Sequence, residues 1–181
     1  MNRRSFMKWA IHGMNALFAA VLGIPAVAYL IDPRNRPARP KDFRTVARLS
    51  ELPVGVPVQV TVKDVRRDAW TLHTSDVIGR VWLIRREGDR VDAFTTICPH
   101  LGCSINFEPT AKLFICPCHN GCFDLQGQLA HMPGMNNPAP RGMDSLEVVL
   151  EPVPNAPAED YFVKVKYQNF EQMKPEKIVK A

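Results

Sequence analysis

The chain has 181 residues, which is enough for one ordinary domain and an appendage. Much of its formal net charge of +5 comes from the first fifty residues, and no basic stripe interleaved with aromatic residues is visible, so nothing favours nucleic-acid binding. Most of the 16 prolines lie in connecting stretches or near a Cys-rich segment, which predicts stiff loops and few helices.

The N-terminus combines a charged motif with a long apolar run. Residues Arg3 to Lys8 (RRSFMK) are typical of a twin-arginine export signal, and Trp9 to Ile31 contains no Asp, Glu, Lys or Arg. This run can cross one bilayer, which takes about 20 residues. Ala26-Val27-Ala28 could instead be a cleavage site that releases a soluble protein. We favour a permanent anchor at residues 1–31, because the run exceeds the usual ~7–15 residues of a signal core.

Residues 32–42 are rich in Pro and Arg and predict an extended linker with about 30 Å of reach. This linker is either a passive spacer or a hinge that lets the following domain swing. Cations flank the apolar run on both sides, so loop charge alone does not give its orientation. The export signal favours a single-pass protein of the bacterial inner membrane with its folded domain on the periplasmic side.

From about Phe43 the pattern changes to short apolar runs with period-2 alternation, which predicts an antiparallel all-β domain over residues 43–172 and a tail at 173–181. A short helix near Ser50 is the only helical signal. Trp70 and Trp82 are interpreted as core or strand-face aromatics. The predicted strands are 56–62, 81–84, 91–97, 113–115, 146–150 and 161–165.

All five cysteines and two of the five histidines lie between Cys98 and Cys122. Their spacing is Cys-x-His, fifteen residues, then Cys-x-x-His, with one further Cys in each clump. Two thiolates and two imidazoles suit either a tetrahedral zinc site or a mixed iron–sulfur cluster. Two short loops, each with one sulfur and one nitrogen donor, could reach one small inorganic centre from opposite sides.

Cys98-Pro-His-Leu-Gly-Cys103 and Cys116-Pro-Cys-His119 resemble the two boxes of Rieske iron–sulfur proteins. Phe123-Asp124 resembles the region after the second box, and Pro138-Ala139-Pro140-Arg141 resembles the proline loop of that family. The resemblance covers the whole organisation of anchor, linker and all-β domain. It implies a Rieske-type fold whose cluster-binding part spans about residues 96–142.

The resemblance implies a role for each residue of the two boxes. Cys98 and Cys116 would bind one iron of a [2Fe–2S] cluster, and His100 and His119 would bind the other, which raises the reduction potential relative to all-Cys clusters. Cys103 and Cys118 would form a disulfide, which requires an oxidising compartment. The remaining residues are interpreted without a metal role: Cys122 as a small buried hydrophobe, and His73 and His131 as surface or loop residues.

The implied function is that of the Rieske subunit of a quinol–cytochrome c reductase in the cytochrome bc family. Such a subunit takes one electron from quinol bound in a cytochrome b subunit and passes it to a c-type cytochrome within a dimeric multisubunit complex. His100 and His119 would bind the quinol hydroxyl and take its proton, and Leu101 would be an apolar contact for the quinone.

Two features depart from the high-potential members of that family. Gly121 and Phe123 stand where those members carry Ser and Tyr, so two hydroxyl donors are missing, and a low potential suited to menaquinol is expected. The segment 131–137 is longer than expected before the proline loop. It either reshapes the docking face or simply bulges, and we favour the bulge.

Two alternatives remain from the sequence. The small subunit of arsenite oxidase has a similar layout, with its Rieske cluster fed by a molybdenum subunit. A structural zinc module also satisfies the ligand spacing, although the additional Cys pair and the export signal argue against it.

Overall fold

The computed structural model describes residues 2–35, 43–67, 71–134, 136–154 and 160–180. The chain forms two compact units, Met1–Pro40 and Lys41–Ala181, each of which is described by itself. Trp70 and residues 36–42 of the predicted linker lie outside the described residues.

In the part of the first unit that the structure describes, Arg3–Asn35 forms the helix α1. Residues Arg3–Ile31 are long and apolar enough to cross a membrane. The extended conformation expected from residue 32 does not hold for residues 32–35, which continue the helix. A proline removes one main-chain donor, but helix propagation is cooperative, so a helix already established over many turns can absorb one lost bond.

The second unit is antiparallel β structure, as predicted, with two one-turn 3₁₀ helices at Leu49–Glu51 and Glu87–Asp89. The strands in the described residues are β1 (Phe43–Arg48), β2 (Pro57–Arg67), β3 (Leu72–Arg85), β4 (Val91–Thr95), β5 (Asn106–Glu108), β6 (Leu113–Cys116), β7 (Gly121–Phe123), β8 (Ser145–Pro152) and β9 (Tyr161–Lys166). The larger sheet has the order β1-β9-β8-β4-β3-β2, and a smaller sheet has the order β5-β6-β7.

All six predicted strands are present, two of them considerably longer than expected. β2 continues to Arg67 and β3 already begins at Leu72, so the two strands pair as one long hairpin. The short helix expected near Ser50 is the 3₁₀ turn Leu49–Glu51. β1, β5 and β7 were not predicted.

Strand β3 separates two hydrophobic cores because successive side chains on a strand point to opposite faces. Val81 and Leu83 are buried in the core of the larger sheet, whereas Trp82 and Ile84 are buried in a second core. This second core lies under the smaller sheet, and we call the smaller sheet, its loops and this core the cluster subdomain. The predicted core position of Trp82 is confirmed.

Candidate metal centre

Two loops of the cluster subdomain carry the predicted ligands. Loop 1, residues 98–103, follows β4, and its turn is closed by hydrogen bonds from Cys98 N–H to the Cys103 carbonyl (2.8 Å) and from Gly102 N–H to the Cys98 carbonyl (2.9 Å). Gly102 adopts φ +83°, a conformation that favours glycine. Loop 2, residues 116–121, is the tip of the β6–β7 hairpin, where Cys116 pairs with Gly121.

Cys98 and Cys116 bring their thiols together in the buried floor of the site. Their relative exposures are 1% and 2%, and their side chains hydrogen-bond to each other. Burial raises the pKa of the Cys98 thiol to about 11, and Cys116 adds to the rise, while hydrogen bonds from the His100 and Leu101 N–H groups oppose it. Thiolate ligation here therefore has to displace protons from buried thiols.

His100 and His119 bring their imidazoles together at the other side of the two loops. Their ring centroids are 4.8 Å apart and the rings meet edge to face at 86°. His119 is exposed and His100 is half-buried, in contrast to both cysteines. Leu101, which follows His100 in loop 1, leaves 57% of its surface exposed. The nitrogen side of the site is thus accessible and the sulfur side is not.

A disulfide joins the two loops through Cys103 and Cys118, whose Cα atoms are 6.5 Å apart. The sulfurs of Cys103, Cys116 and Cys118 all lie within 4.8 Å of one another, which is close enough for a shared metal ion. Cys103 and Cys118 are bonded to each other, however, so neither offers a thiolate while the bond is intact. Cys116 and its neighbour Cys98 are then the thiols available to a metal.

The proline loop, residues 138–140, packs against the second core. Ala139 is buried in the second core, while Pro138 and Pro140 are half-buried. Asn137 fixes the start of this loop: its amide nitrogen donates to the Cys122 carbonyl (2.6 Å) and the Ala130 carbonyl (3.2 Å), and its oxygen accepts from Ala139 N–H (3.1 Å). The end of the segment 131–137 is therefore tied to β7 and does not bulge freely.

Gly121 and Phe123 lie beside the two buried cysteines, Cys98 and Cys116. A Cβ added at Gly121 would lie 3.5 Å from Cys98 Sγ and 3.6 Å from the Phe123 ring. Cys122, between them, is 1% exposed, and burial raises the pKa of its thiol. Away from the site, His131 is exposed and His73 lies 3.8 Å from the Asp76 carboxylate.

The donor set fits a Rieske cluster better than an all-Cys cluster. Two adjacent thiols and two adjacent imidazoles come from two loops of one subdomain. Rieske clusters are defined by this combination, in which two histidines replace two cysteines on one iron. Cys98, His100, Cys116 and His119 could hold such a cluster.

A family model described as the Rieske [2Fe-2S] domain matches residues 43–157. The chain belongs to the Rieske [2Fe-2S] domain family. Its cofactor is accordingly a [2Fe-2S] cluster, and this match does not support the zinc alternative.

The Rieske chain has similar relatives among characterised proteins. It is 30% identical to the menaquinol:cytochrome c reductase iron-sulfur subunit of Bacillus subtilis over 77% of this chain and 82% of that protein. It is 28% identical to the cytochrome b6-f complex iron-sulfur subunit of Chlorobaculum thiosulfatiphilum, over 72% and 64% respectively. The crystal structure of the plasma membrane Rieske protein PetC3 from Synechocystis aligns at 19% identity with a TM-score of 0.34, over 51% of this chain and 83% of that one.

Sequence reasoning missed the residues that anchor the two ends of the proline loop. Asn137 lay within a segment interpreted as a bulge, and Arg141 was noted only as the last residue of the motif that resembles the proline loop. Asn137 and Arg141 bind main-chain carbonyls up to 33 residues away, and a carbonyl carries no side-chain signal in the sequence. An amide or guanidinium side chain at each end of a proline loop is the only hint available.

Proposed function

We propose that this Rieske protein is the iron–sulfur subunit of a membrane quinol–cytochrome c reductase. It would take one electron from quinol and pass it to a c-type cytochrome. The observation that carries this proposal is the difference in exposure between the two sides of the site. Both thiols are buried, whereas His119 and Leu101 are exposed beside the half-buried His100. Such a site offers nitrogen donors and one apolar side chain to a molecule that arrives from outside.

The proposed ligands are Cys98 and Cys116 for one iron and His100 and His119 for the other. The bound cluster would supply a one-electron acceptor. Each imidazole that ligates through one ring nitrogen keeps the other nitrogen for hydrogen bonding. At His119, and less openly at His100, this second nitrogen, when it carries no proton, would accept the hydrogen bond of the quinol hydroxyl and receive its proton. Leu101 would pack against the quinone ring, and the buried thiols would keep water from the iron.

Menaquinol is the proposed donor. The Bacillus subtilis relative is named as a menaquinol:cytochrome c reductase subunit, which supports this choice. The absence of hydroxyl groups at Gly121 and Phe123 supports menaquinol independently. With fewer hydrogen bonds to the cysteine sulfurs, the reduced cluster is less stable and its reduction potential is lower. These relatives do not favour the arsenite-oxidase-like alternative.

The proposed setting is a dimeric multisubunit complex of the bacterial inner membrane, with a cytochrome b subunit and a c-type cytochrome as partners. Helix α1 supports a single-pass anchor by its length and composition. The export signal supports a periplasmic location for the cluster domain. The division into an anchor at 1–31, a hinge at 32–42, a Rieske domain at 43–172 with its cluster part at 96–142, and a tail at 173–181 stays a prediction.

Replacement of Leu101 tests the proposed function directly. Leu101→Asn removes the apolar contact but keeps the backbone N–H that binds Cys98, so the EPR spectrum of the reduced cluster should be unchanged. Loss of an apolar contact costs about 1.5–3 kcal/mol, so menaquinol–cytochrome c reductase activity in membranes should fall about tenfold or more.

Val77→Asn is the matched control, because Val77 is equally exposed at 57% but lies on β3 and outside both loops. Its activity should equal that of the wild type. Wild-type rates in Leu101→Asn would refute the proposed quinone contact. Full-length wild-type protein that contains no iron or acid-labile sulfide would end the ligand assignment as well.

A further inference from the structure

Arg141, at the end of the proline loop, makes four polar contacts that use all three nitrogens of its guanidinium group. Nε and Nη2 each donate to the Asp144 carboxylate at 2.8 Å, Nη1 donates to the Lys174 carbonyl (2.6 Å), and Nη2 also donates to the Glu171 carbonyl (2.8 Å). The side chains of Arg141 and Asp144 are only 10% and 5% exposed. The Asp144 carboxylate orients the planar guanidinium group, and this group then holds the main-chain carbonyls of Glu171 and Lys174.

The two carbonyls belong to the terminal hairpin, which we define as residues 169–180. This hairpin is closed by main-chain bonds from Glu171 to Ile178 and from Lys180 to Asn169. Between the two carbonyls that Arg141 holds lies Met173, whose N–H donates to the Pro99 carbonyl at 2.9 Å. Met173 adopts φ +59°, which is unfavourable for a residue with a side chain and therefore has to be held by its surroundings.

Pro99 lies between Cys98 and His100 in loop 1 and is almost fully buried. The hairpin also approaches the same loop at Gly102, where an added Cβ would lie 3.9 Å from the Gln172 side chain. A continuous chain of contacts thus runs from the proline loop through Arg141 and the hairpin to loop 1.

We propose that Arg141 is a positioning residue for loop 1 and acts through the terminal hairpin. Arg141 fixes the carbonyls of Glu171 and Lys174 and so directs the Met173 N–H at the Pro99 carbonyl. This bond holds loop 1 in its observed shape. In that shape, the N–H groups of His100 and Leu101 point at the Cys98 sulfur. Hydrogen bonds to sulfur tune the potential of an iron–sulfur cluster. This inference rests on the proposed ligand role of Cys98.

The direction of the effect follows from charge. Reduction adds one electron to the cluster, and N–H groups directed at its sulfurs stabilise that added negative charge. A looser loop 1 holds these donors less well, so loss of the Arg141 contacts should lower the reduction potential. A purely structural Arg141, which only neutralises Asp144, would not change the potential when another cation replaces it.

Arg141→Lys separates the two roles in the full-length protein in its membranes. Lysine keeps a positive charge for Asp144 but lacks the planar fork that reaches both carbonyls. EPR-monitored redox titration should give a lower midpoint, by up to about tenfold in the equilibrium constant for reduction, or 59 mV. Arg44→Lys is the matched control: Arg44 also pairs with a carboxylate, Asp64, but links β1 to β2 in the larger sheet. Its midpoint should stay at the wild-type value.

Deletion of residues 172–181 removes the same chain of contacts from its other end. This variant should show a similar decrease, and the combination with Arg141→Lys should show no further decrease, because both changes break one pathway. A wild-type midpoint in Arg141→Lys, or additive shifts in the double variant, would overturn the proposal. If Arg141→Lys protein does not accumulate, an unshifted midpoint in the deletion variant overturns it.

Amide hydrogen exchange provides a second readout that does not depend on turnover. Peptides that contain Met173 should exchange faster in Arg141→Lys than in Arg44→Lys, and equal protection in the two variants would contradict the proposal. A wild-type protein without a Rieske EPR signal would instead contradict the ligand assignment. The two failures are therefore distinguishable.

Discussion

At the scale of single residues, two positions beside the proposed ligands Cys98 and Cys116 lack hydroxyl groups. A Cβ at Gly121 would lie 3.4 Å from the Cys116 Cβ and 3.5 Å from the Cys98 Sγ, which is ordinary van der Waals contact. A serine therefore fits at this position with its hydroxyl near a ligand sulfur. Phe123 is fully buried in the second core, with its ring 3.6 Å from the same Cβ position. A hydroxyl group on a side chain at either position would lie near the sulfurs of Cys98 and Cys116.

Gly121→Ser and Phe123→Tyr should each raise the midpoint potential of the cluster. A hydrogen bond to a charged group contributes about 1.5–3 kcal/mol, and a tenfold change in a one-electron equilibrium is 59 mV, so the upper bound is roughly 60–130 mV for each hydroxyl. Redox titration of the full-length protein measures this shift. Gly121→Ala is the matched control, since it adds the same Cβ without a hydroxyl, and a serine variant that behaves like the alanine variant would contradict the prediction.

At the scale of secondary-structure elements, the two ligand loops depend on different supports. Loop 2 is the tip of a two-strand hairpin and is held by the pairing of Cys116 with Gly121. Loop 1 lies between β4 and β5, and its contacts with other elements include the disulfide to Cys118 and the Met173 N–H. The disulfide closes a segment of 15 residues that contains strands β5 and β6. It therefore restricts the unfolded chain as well as the folded loops.

Replacement of Cys103 and Cys118 together by alanine should destabilise the cluster subdomain without removing a ligand. For a segment of this length, the lost restriction amounts to about 3 kcal/mol, so the cluster should be released at a lower denaturant concentration, as followed by its visible absorbance. Cys122→Ala, which removes a buried thiol outside the disulfide, is the control and should keep the iron content of the wild type. If the double variant releases the cluster at the same denaturant concentration as this control, the disulfide does not stabilise the site.

At the scale of the whole β unit, the cluster subdomain is attached to the larger sheet through β3 and β4. Alternate residues of β3 belong to different cores, and Ala93 and Phe94 of β4 divide in the same way. Trp82 strengthens the attachment, because its Nε1 donates to the Ile105 carbonyl at 3.0 Å in a buried position. Its ring also contacts Phe114, with centroids 5.4 Å apart.

Trp82→Phe should lower the thermal stability of the β unit. The substitution keeps an aromatic ring but leaves the Ile105 carbonyl without this donor, and a buried unpaired polar group costs about 1–3 kcal/mol. Circular dichroism of the full-length protein in detergent, read at both far-ultraviolet and cluster wavelengths, measures the effect. Trp9→Phe is the control because Trp9 is 74% exposed on α1. A midpoint equal to that of the control would show that the indole hydrogen bond contributes nothing.

Features that depend only on neighbouring residues can be predicted from the sequence. The two Cys–His clumps predict the donor set because ligand loops are local structures, and the apolar run of α1 is likewise visible without a fold. The six predicted strands all exist because period-2 alternation reports a half-buried strand directly. β5 and β7 have only three residues each, too few for alternation to show, and β1 is mostly half-buried with no clear periodicity.

The tertiary structure alone decided how the ligand loops are held. The order β1-β9-β8-β4 brings the C-terminal part of the chain back beside loop 1, so that Met173 meets Pro99 and Arg141 meets the terminal hairpin. Each of these contacts ends on a main-chain carbonyl, which every residue possesses. The sequence therefore names the donors of the metal site, but only the three-dimensional arrangement of the backbone selects which distant carbonyls position them.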